Sequence, residues 1–326
     1  MKAIVFTRYG APDVLHIGEI EKPEPADNEI LIRIRAVEAT KADCEMRSFN
    51  LAVKWFWLPL RLAMGVTKPR KPVLGGYFSG VVEAAGENAS GFKAGDQVFG
   101  SAGMRFGAYG EYICLPASYT IVEKPQNMSF AQAAAVPLGG LNALHFMRKA
   151  AIKAGDKVLI NGAGGSIGTF AVQIAKAMGA EVSAVDSTIK EALLRRIGAD
   201  HFIDYSKEDF TRSAQKYDVI FNMVARSSYS DCVNCLNPEG RYLMGNPRLS
   251  DMLRSVFTSR FSNKTAGFAF AGEREDELLE LKKMIEAGKI ESIVDKVYAP
   301  EQAAEAHRRV ETERRLGIVV IDMSDV

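Results

Sequence analysis

The sequence predicts an α/β protein in which a strand-rich portion precedes a parallel sheet interleaved with helices. Three observations carry this expectation. Short strands broken by glycine and proline fill the first third. From about Ser129 the apolar period lengthens, and helices alternate with short apolar strands. A glycine-rich turn then joins the strand Lys157–Asn161 to a helix.

Taken in order, Lys2–Thr7 and Glu29–Val37 have strand composition, and Glu24-Pro-Ala-Asp-Asn28 is the polar break between them. Further strands are expected at Gly80–Ala85, Gln97–Gly100 and Tyr109–Leu115. Helices are expected over Ala131–Leu138 and Leu141–Ala150. After the strand Lys157–Asn161, the residues Ile167, Phe170, Ala171, Ile174, Ala175 and Met178 recur at helical spacing. A second apolar strand, Glu181–Val185, ends at Asp186. A helix holding Leu193, Leu194 and Ile197 follows, then strands at His201–Asp204 and Asp218–Asn222. The tail reads as a charged helix at Glu273–Ala287, a strand at Ile293–Tyr298, a helix near Glu301–Val310 and a strand at Gly317–Met323.

Composition narrows the function classes. The 326 residues are 47% hydrophobic, enough for two cores. Forty-one basic residues face 40 acidic ones, so the net charge of +1 gives no footprint for nucleic acid or an anionic membrane. The apolar run Leu51–Met64 is broken by Lys54 and Arg61 and is too short to span a bilayer. No signal-type segment precedes the first strand, and cytoplasmic residence is expected. The cysteines at 44, 114, 232 and 235 do not form a disulfide framework, and Cys232-x-x-Cys235 reads as part of a packed helix.

The segment Val158-Leu-Ile-Asn-Gly162-Ala-Gly164-Gly165-Ser166-Ile167-Gly168 carries the sharpest signal. Glycines let backbone N–H groups approach a diphosphate, and the following helix points its positive end at the same charge. The usual G-x-G-x-x-G register falls on Ala163, Gly165 and Gly168, so alanine replaces the first glycine. Asp186, ending the next strand, is placed to accept the ribose hydroxyls, which favours NADH. Ser187 follows at once, and Lys190 or Tyr205 can reach a 2′-phosphate, which favours NADPH; the sequence leaves the choice open. No ATP-type phosphate loop and no Gly-x-Ser-x-Gly nucleophile motif are present. The four histidines, 16, 145, 201 and 307, form no metal pair, and His145 reads chiefly as a packing residue.

Further segments extend this reading over essentially the whole chain. They are Gly75-Gly-Tyr-Phe-Ser-Gly-Val-Val-Glu-Ala-Ala-Gly86, Phe92-Lys-Ala-Gly-Asp-Gln-Val-Phe-Gly100, Gly107-Ala-Tyr-Gly-Glu-Tyr112 and Pro137-Leu-Gly-Gly-Leu-Asn142. With the nucleotide segment, they make the chain resemble the medium-chain dehydrogenase/reductase superfamily, in its zinc-independent quinone oxidoreductase (zeta-crystallin-like) branch. The resemblance implies a GroES-like β-barrel catalytic domain over residues 1–125 and a Rossmann NAD(P)-binding domain over 126–268. Residues 269–326 would return to the catalytic domain, with the active site in the cleft between domains.

The resemblance also shows departures from the zinc alcohol dehydrogenases. Thr40 stands where those enzymes carry a catalytic cysteine, Gly75-Gly76-Tyr77 replaces Gly-His-Glu, and the third ligand position falls near Pro137. The structural zinc lobe is missing, so no zinc is expected. Thr40, Asp43 and Tyr77 are the implied catalytic-site residues: Thr40 to orient substrate oxygen or cofactor, Asp43 to order the loop, Tyr77 as a donor. Each has a purely structural alternative. By the same correspondence, Gly162, Gly165, Ser166, Ile167 and Gly168 hold the pyrophosphate. Asp186, Ser187, Lys190 and Tyr205 surround the ribose. Asn142, Asn222, Met223, Gly245 and Asn246 approach the nicotinamide.

The implied function is hydride transfer from NADPH or NADH to a quinone or related small conjugated carbonyl, with protonation from water or a nearby hydroxyl. Alternatives are an alcohol or aldehyde dehydrogenase, an enoyl reductase, and a cofactor-binding protein without turnover. The resemblance suggests a homodimer, with no nucleic-acid or membrane partner. Trp55, Phe56 and Trp57 read three ways: lining a substrate entrance, packing on a partner subunit, or filling the core.

Overall fold

The computed structural model describes residues 1–51, 57–269, 272–324 and 326. The chain divides into two compact units. One comprises Met1–Leu138, Glu273–Gly288 and Ser292–Val326; the other comprises Gly139–Gly272 with Lys289–Glu291.

The first unit opens with β1 (Lys2–Val5), β2 (His16–Glu19) and β3 (Glu29–Glu38), followed by helices α1 (Lys41–Ser48) and α2 (Trp57–Met64). Strands β4 (Tyr77–Ala85), β5 (Gln97–Ser101), β6 (Tyr112–Pro116) and β7 (Ile121–Glu123) come next, then the short helix α3 (Phe130–Ala134). Strand β3 organises the sheet. Along one edge it pairs with β4. Along the other, Glu29–Arg33 pairs with β6 and Ala36–Glu38 pairs with the C-terminal strand Ile318–Asp322. Register shifts at Leu31/Ile32 and Ile34/Ala36 bend the strand enough to serve three partners. Its alternating Ile30, Ile32 and Ile34 enter the core with Phe78, Val98 and Leu115.

Helix α4 (Pro137–Lys149) leads into the second unit. There β8 (Lys157–Asn161), α5 (Ser166–Ala177), β9 (Glu181–Asp186), α6 (Glu191–Arg196) and β10 (His201–Asp204) form two strand–helix–strand crossovers. Then come β11 (Tyr217–Asn222), α7 (Tyr229–Asn234), β12 (Leu236–Met244), α8 (Leu249–Phe261) and β13 (Thr265–Phe268). The six strands are all parallel, in the order β10-β9-β8-β11-β12-β13. This is the doubly wound arrangement, whose order reverses between β8 and β11 and leaves a crevice at their C-terminal ends. Val158, Leu159 and Ile160 of β8 are fully buried, as a strand covered on both faces requires.

The tail supplies α9 (Glu275–Glu286), β14 (Val294–Tyr298), α10 (Ala303–Glu311) and β15 (Ile318–Asp322) to the first unit. Strand β15 pairs with β14 and β3, and Ala306 and Val310 of α10 join the core beneath.

Most expected elements lie within one to three residues of their observed bounds. The helix expected over Ala131–Leu138 instead ends at Ala134, and α4 starts at Pro137. Proline lacks the N–H a continuing helix needs and suits a first turn, which explains the break. Trp55 and Phe56 lie outside the described residues. Trp57 opens α2, 42% exposed, with its ring edge on Phe49 at 5.9 Å, so it is not a core residue. Cys232 lies in α7 and Cys235 caps it, both buried. No described helix is long and apolar enough to cross a membrane.

Candidate functional site

The turn between β8 and α5 is built around glycine. Gly162 adopts φ +89°, and Gly162 and Ala163 both donate their N–H groups to Val185 O on β9. A Cβ on Gly168 would lie 2.4 Å from the carbonyl oxygens of Gly162 and Ala163, so only glycine lets α5 sit this close to the turn. Gly165 caps α5 with φ −89°, and a Cβ there would meet nothing nearer than 3.7 Å. Its missing side chain therefore leaves open space beside the first turn of α5, where N–H groups lack helical acceptors. Ala163 is fully buried, so the alanine in the first glycine position does not obstruct that approach. The cradle fits a dinucleotide pyrophosphate.

At the end of β9, Asp186 and Lys190 face each other, both buried, with Nζ 3.1 Å from Oδ1. Asp186 Oδ2 accepts the Gly164 N–H at 2.7 Å, and Oδ1 accepts the Ser187 N–H at 2.8 Å. The Lys190 stem lies directly over Gly164, where a Cβ would come within 2.2 Å of Cδ. The acid and base that gave conflicting sequence signals are thus one ion pair, which ties the glycine turn to β9. Tyr205 stands beside them with 63% of its surface exposed, its N–H donated to Asp186 O.

The C-terminal ends of β8, β11 and β12 are joined through Asn222. Its Oδ1 accepts from Asn161 Nδ2 at 2.9 Å and from the Val224 N–H, and its Nδ2 donates to Tyr242 OH at 2.9 Å. Asn222 is therefore spent on holding strand ends together. The Met223 N–H binds Asn161 O, Gly245 N–H binds Asn222 O, and Asn246 Nδ2 donates to Met223 O. Asn161 and Tyr242 are members of this network that sequence reasoning did not find. Asn142 and His145 lie on α4, both half-buried, and His145 packs edge-on against Phe146.

In the first unit, Thr40 and Asp43 form a capping box at the start of α1. The Thr40 hydroxyl donates to Asp43 Oδ2 at 2.6 Å and accepts the Asp43 N–H, while Asp43 Oδ1 accepts the Gly75 N–H. Burial raises the Asp43 pKa against those hydrogen bonds. The half-buried Tyr77 donates its hydroxyl to Glu273 Oε1 at 2.9 Å. Burial, and then the Glu273 carboxylate, hold its phenol well above the usual tyrosine range. Ser101 donates to Glu273 Oε2 at 2.6 Å, and Thr120 donates to the Glu273 backbone oxygen. Glu273 is the residue here that sequence reasoning missed: it lies nearly two hundred positions from Tyr77 in a segment without a motif. Thr40 and Asp43 come together, Tyr77 belongs to a separate cluster, and both hydroxyl protons are engaged within the unit.

Among the described residues, no three His, Cys, Asp or Glu side chains gather as a metal site. Cys44 does approach His307, but this is a buried structural network. His307 binds Tyr109 OH through Nε2 and Arg47 Nε through Nδ1, and Arg47 also reaches Gly10 O and Glu311. Burial pushes the Cys44 thiol up to about 12.

Residues 26–126 match the alcohol dehydrogenase GroES-like domain family, and residues 197–321 match the zinc-binding dehydrogenase family. A quinone oxidoreductase of Pseudomonas aeruginosa is 31% identical over 338 residues, spanning 98% of this chain and 99% of the relative. The chain belongs to the medium-chain dehydrogenase/reductase superfamily, in its quinone oxidoreductase branch. Medium-chain reductases of this branch depend on a nicotinamide cofactor, and the chain is accordingly a nicotinamide-dependent oxidoreductase. A relative named NADPH-dependent alkenal/one oxidoreductase, from Arabidopsis thaliana, is 30% identical over 98% of this chain and 79% of its own length. The solved quinone oxidoreductase of Coxiella burnetii superposes with a TM-score of 0.86 at 28% identity, covering 99% of each chain. The chain thus combines the medium-chain fold with positions 40, 76 and 77 that offer no thiolate or imidazole.

Proposed function

We propose that this reductase transfers hydride from a nicotinamide dinucleotide to a quinone or a related conjugated carbonyl, without zinc. The glycine cradle at the β8–α5 turn, in a chain whose positions 40, 76 and 77 carry no metal donors, supports this reading most directly. The relatives named for quinone and alkenal/one reduction point to planar, conjugated acceptors.

The bound dinucleotide supplies the hydride, and the chain's residues bind and orient it. The α5 N-terminus and Gly165 hold the pyrophosphate. The Asp186–Lys190 pair borders the ribose. With the Lys190 charge taken by Asp186, a 2′-phosphate gains little there, and the site favours NADH. Thr40 and Tyr77 act by positioning: each hydroxyl proton is held by a carboxylate, so the proton that follows hydride comes from water. Asp43 fixes the loop through the Gly75 N–H.

Loss of reduced nicotinamide absorbance with an ortho-quinone and with an enone tests the proposal, using chelator-treated protein. Turnover that survives chelation and is faster with NADH is expected. Absence of turnover with every acceptor, or activity restored only by added zinc, would overturn it.

A further inference from the structure

The nucleotide-binding unit carries a second buried acid one strand beyond Asp186. Strands β9 and β10 run parallel with Asp204 in register opposite Asp186, so two carboxylates end adjacent strands about 4.8 Å apart. The Tyr205 N–H, donated to Asp186 O, ties the two strand ends together. The order β10-β9-β8 sets the direction. The pyrophosphate cradle lies over β8, the ribose borders β9, and a group projecting from that ribose away from the cradle meets the end of β10.

Asp204 is 6% exposed, and donors surround its carboxylate. Oδ1 accepts the Ser206 N–H at 2.9 Å and the Ser206 hydroxyl at 2.7 Å. Oδ2 accepts the Thr188 hydroxyl and lies 3.4 Å from Lys207 Nζ. The Thr188 hydroxyl, and then Ser206, hold the carboxyl well below the usual carboxylate range, so it is ionised at neutral pH. Two hydroxyls, a backbone N–H and an ammonium group converging on one anion make up the donor set that recognises a phosphate. Thr188 belongs to the turn that joins Asp186 to Lys190, and Ser206 and Lys207 belong to the loop after β10. The donors therefore come from both segments beside the ribose end of β9.

We propose that the Asp204 carboxylate stands in for a cofactor 2′-phosphate and thereby makes the site select NADH. It takes the donors that a 2′-phosphate would need and repels the phosphate itself. Asp186 acts likewise on Lys190, so each of the two lysines is engaged by its own acid. Discrimination comes from an anion site that is already filled by the protein, which penalises the competing cofactor without a new contact to the favoured one. The inference rests on the Asp186–Lys190 pair being the border of the ribose.

Fluorescence titration of the full chain with NADH and with NADPH, in the absence of any acceptor, tests this. Asp204→Asn keeps the shape of the side chain and removes its charge, and the ratio of NADPH to NADH affinity should rise about tenfold. Lys207→Met added to that variant should bring the ratio back to within about threefold of the wild-type value, because the 2′-phosphate then lacks its cation. Asp204→Ser supplies the same comparison if the asparagine variant does not fold. A role confined to holding the turn would weaken both dinucleotides together and lower the melting temperature at a constant ratio; that result overturns the proposal, as does a gain that survives Lys207→Met. Wild-type protein that binds neither dinucleotide would overturn the cofactor reading itself, whereas NADH binding with an unresponsive ratio would overturn only the role of Asp204.

Discussion

Two glycines in the same turn are expected to differ in what alanine does to the fold, although both substitutions weaken cofactor use. At Gly168 the added methyl carbon would lie 2.4 Å from two backbone oxygens, whereas ordinary contact begins at 3.4 Å. The first turn of α5 must therefore retreat by about 1 Å, because neither carbonyl can move without breaking the turn. Overpacking of this kind costs about 1–3 kcal/mol. Displacement of the pyrophosphate cradle by that distance should lower kcat/KM about 100-fold. At Gly165 the methyl meets nothing within 3.4 Å and φ is −89°, so the fold accepts it. The small loss in capping and the small gain from a stiffer unfolded chain offset each other to within about 0.5 kcal/mol. The methyl nevertheless occupies the space a diphosphate needs, and cofactor affinity should fall at least about tenfold, roughly 1.4 kcal/mol. Urea unfolding and fluorescence titration with NADH on both variants measure the two quantities separately. A Gly168→Ala protein with wild-type unfolding midpoint and affinity, or a Gly165→Ala protein that binds NADH normally, would refute this account of the turn.

Other substitutions probe the remaining features. Asp186→Ser frees Lys190 and should raise the ratio of NADPH to NADH efficiency about tenfold, while the Gly164 N–H loses its acceptor at a cost of about 1–3 kcal/mol; an unchanged ratio in steady-state kinetics would count against the ion-pair reading. Burial, and then the Arg47 charge, hold His307 down to about 3, so between that value and its ordinary 6.5 the unfolded chain takes a proton that the folded chain refuses. Its contribution to stability is present at neutral pH and lost as pH falls, about 2 kcal/mol from about pH 7 to about pH 5, and His307→Asn should flatten that part of a urea-midpoint profile. Tyr77→Phe removes the hydrogen bond to Glu273, which keeps Ser101 as a partner; stability should drop by about 1 kcal/mol with kcat within about threefold. A fall in kcat of about 100-fold at constant KM would instead make Tyr77 the proton donor.

The sequence by itself determined what depends on neighbours along the chain. The strand composition of Glu29–Val37, the short apolar run of β8 and the glycine turn before α5 are local patterns, and each led to the right element. Proline at 137 was equally visible, and its missing N–H explains a helix break that the apolar spacing alone had bridged. Tertiary structure decided whatever depended on which groups meet. Asp186 and Lys190 were legible as an acid and a base near one ribose, but only folding made them a pair and removed the apparent conflict. Thr40 and Tyr77 were legible as hydroxyls, while their partners decide that both protons are engaged. Glu273 could not be found from its surroundings in the chain, since Tyr77 and Ser101 reach it only across the folded unit. Helix α8 shows the limit most clearly. Leu249, Leu253, Val256 and Phe257 have the spacing of a core-facing stripe, yet Tyr229 and Ala266 hydrogen-bond the opposite side and turn the stripe outward. Periodicity fixes which residues share a face; the hydrogen bonds and packing of the neighbouring elements decide which way that face points.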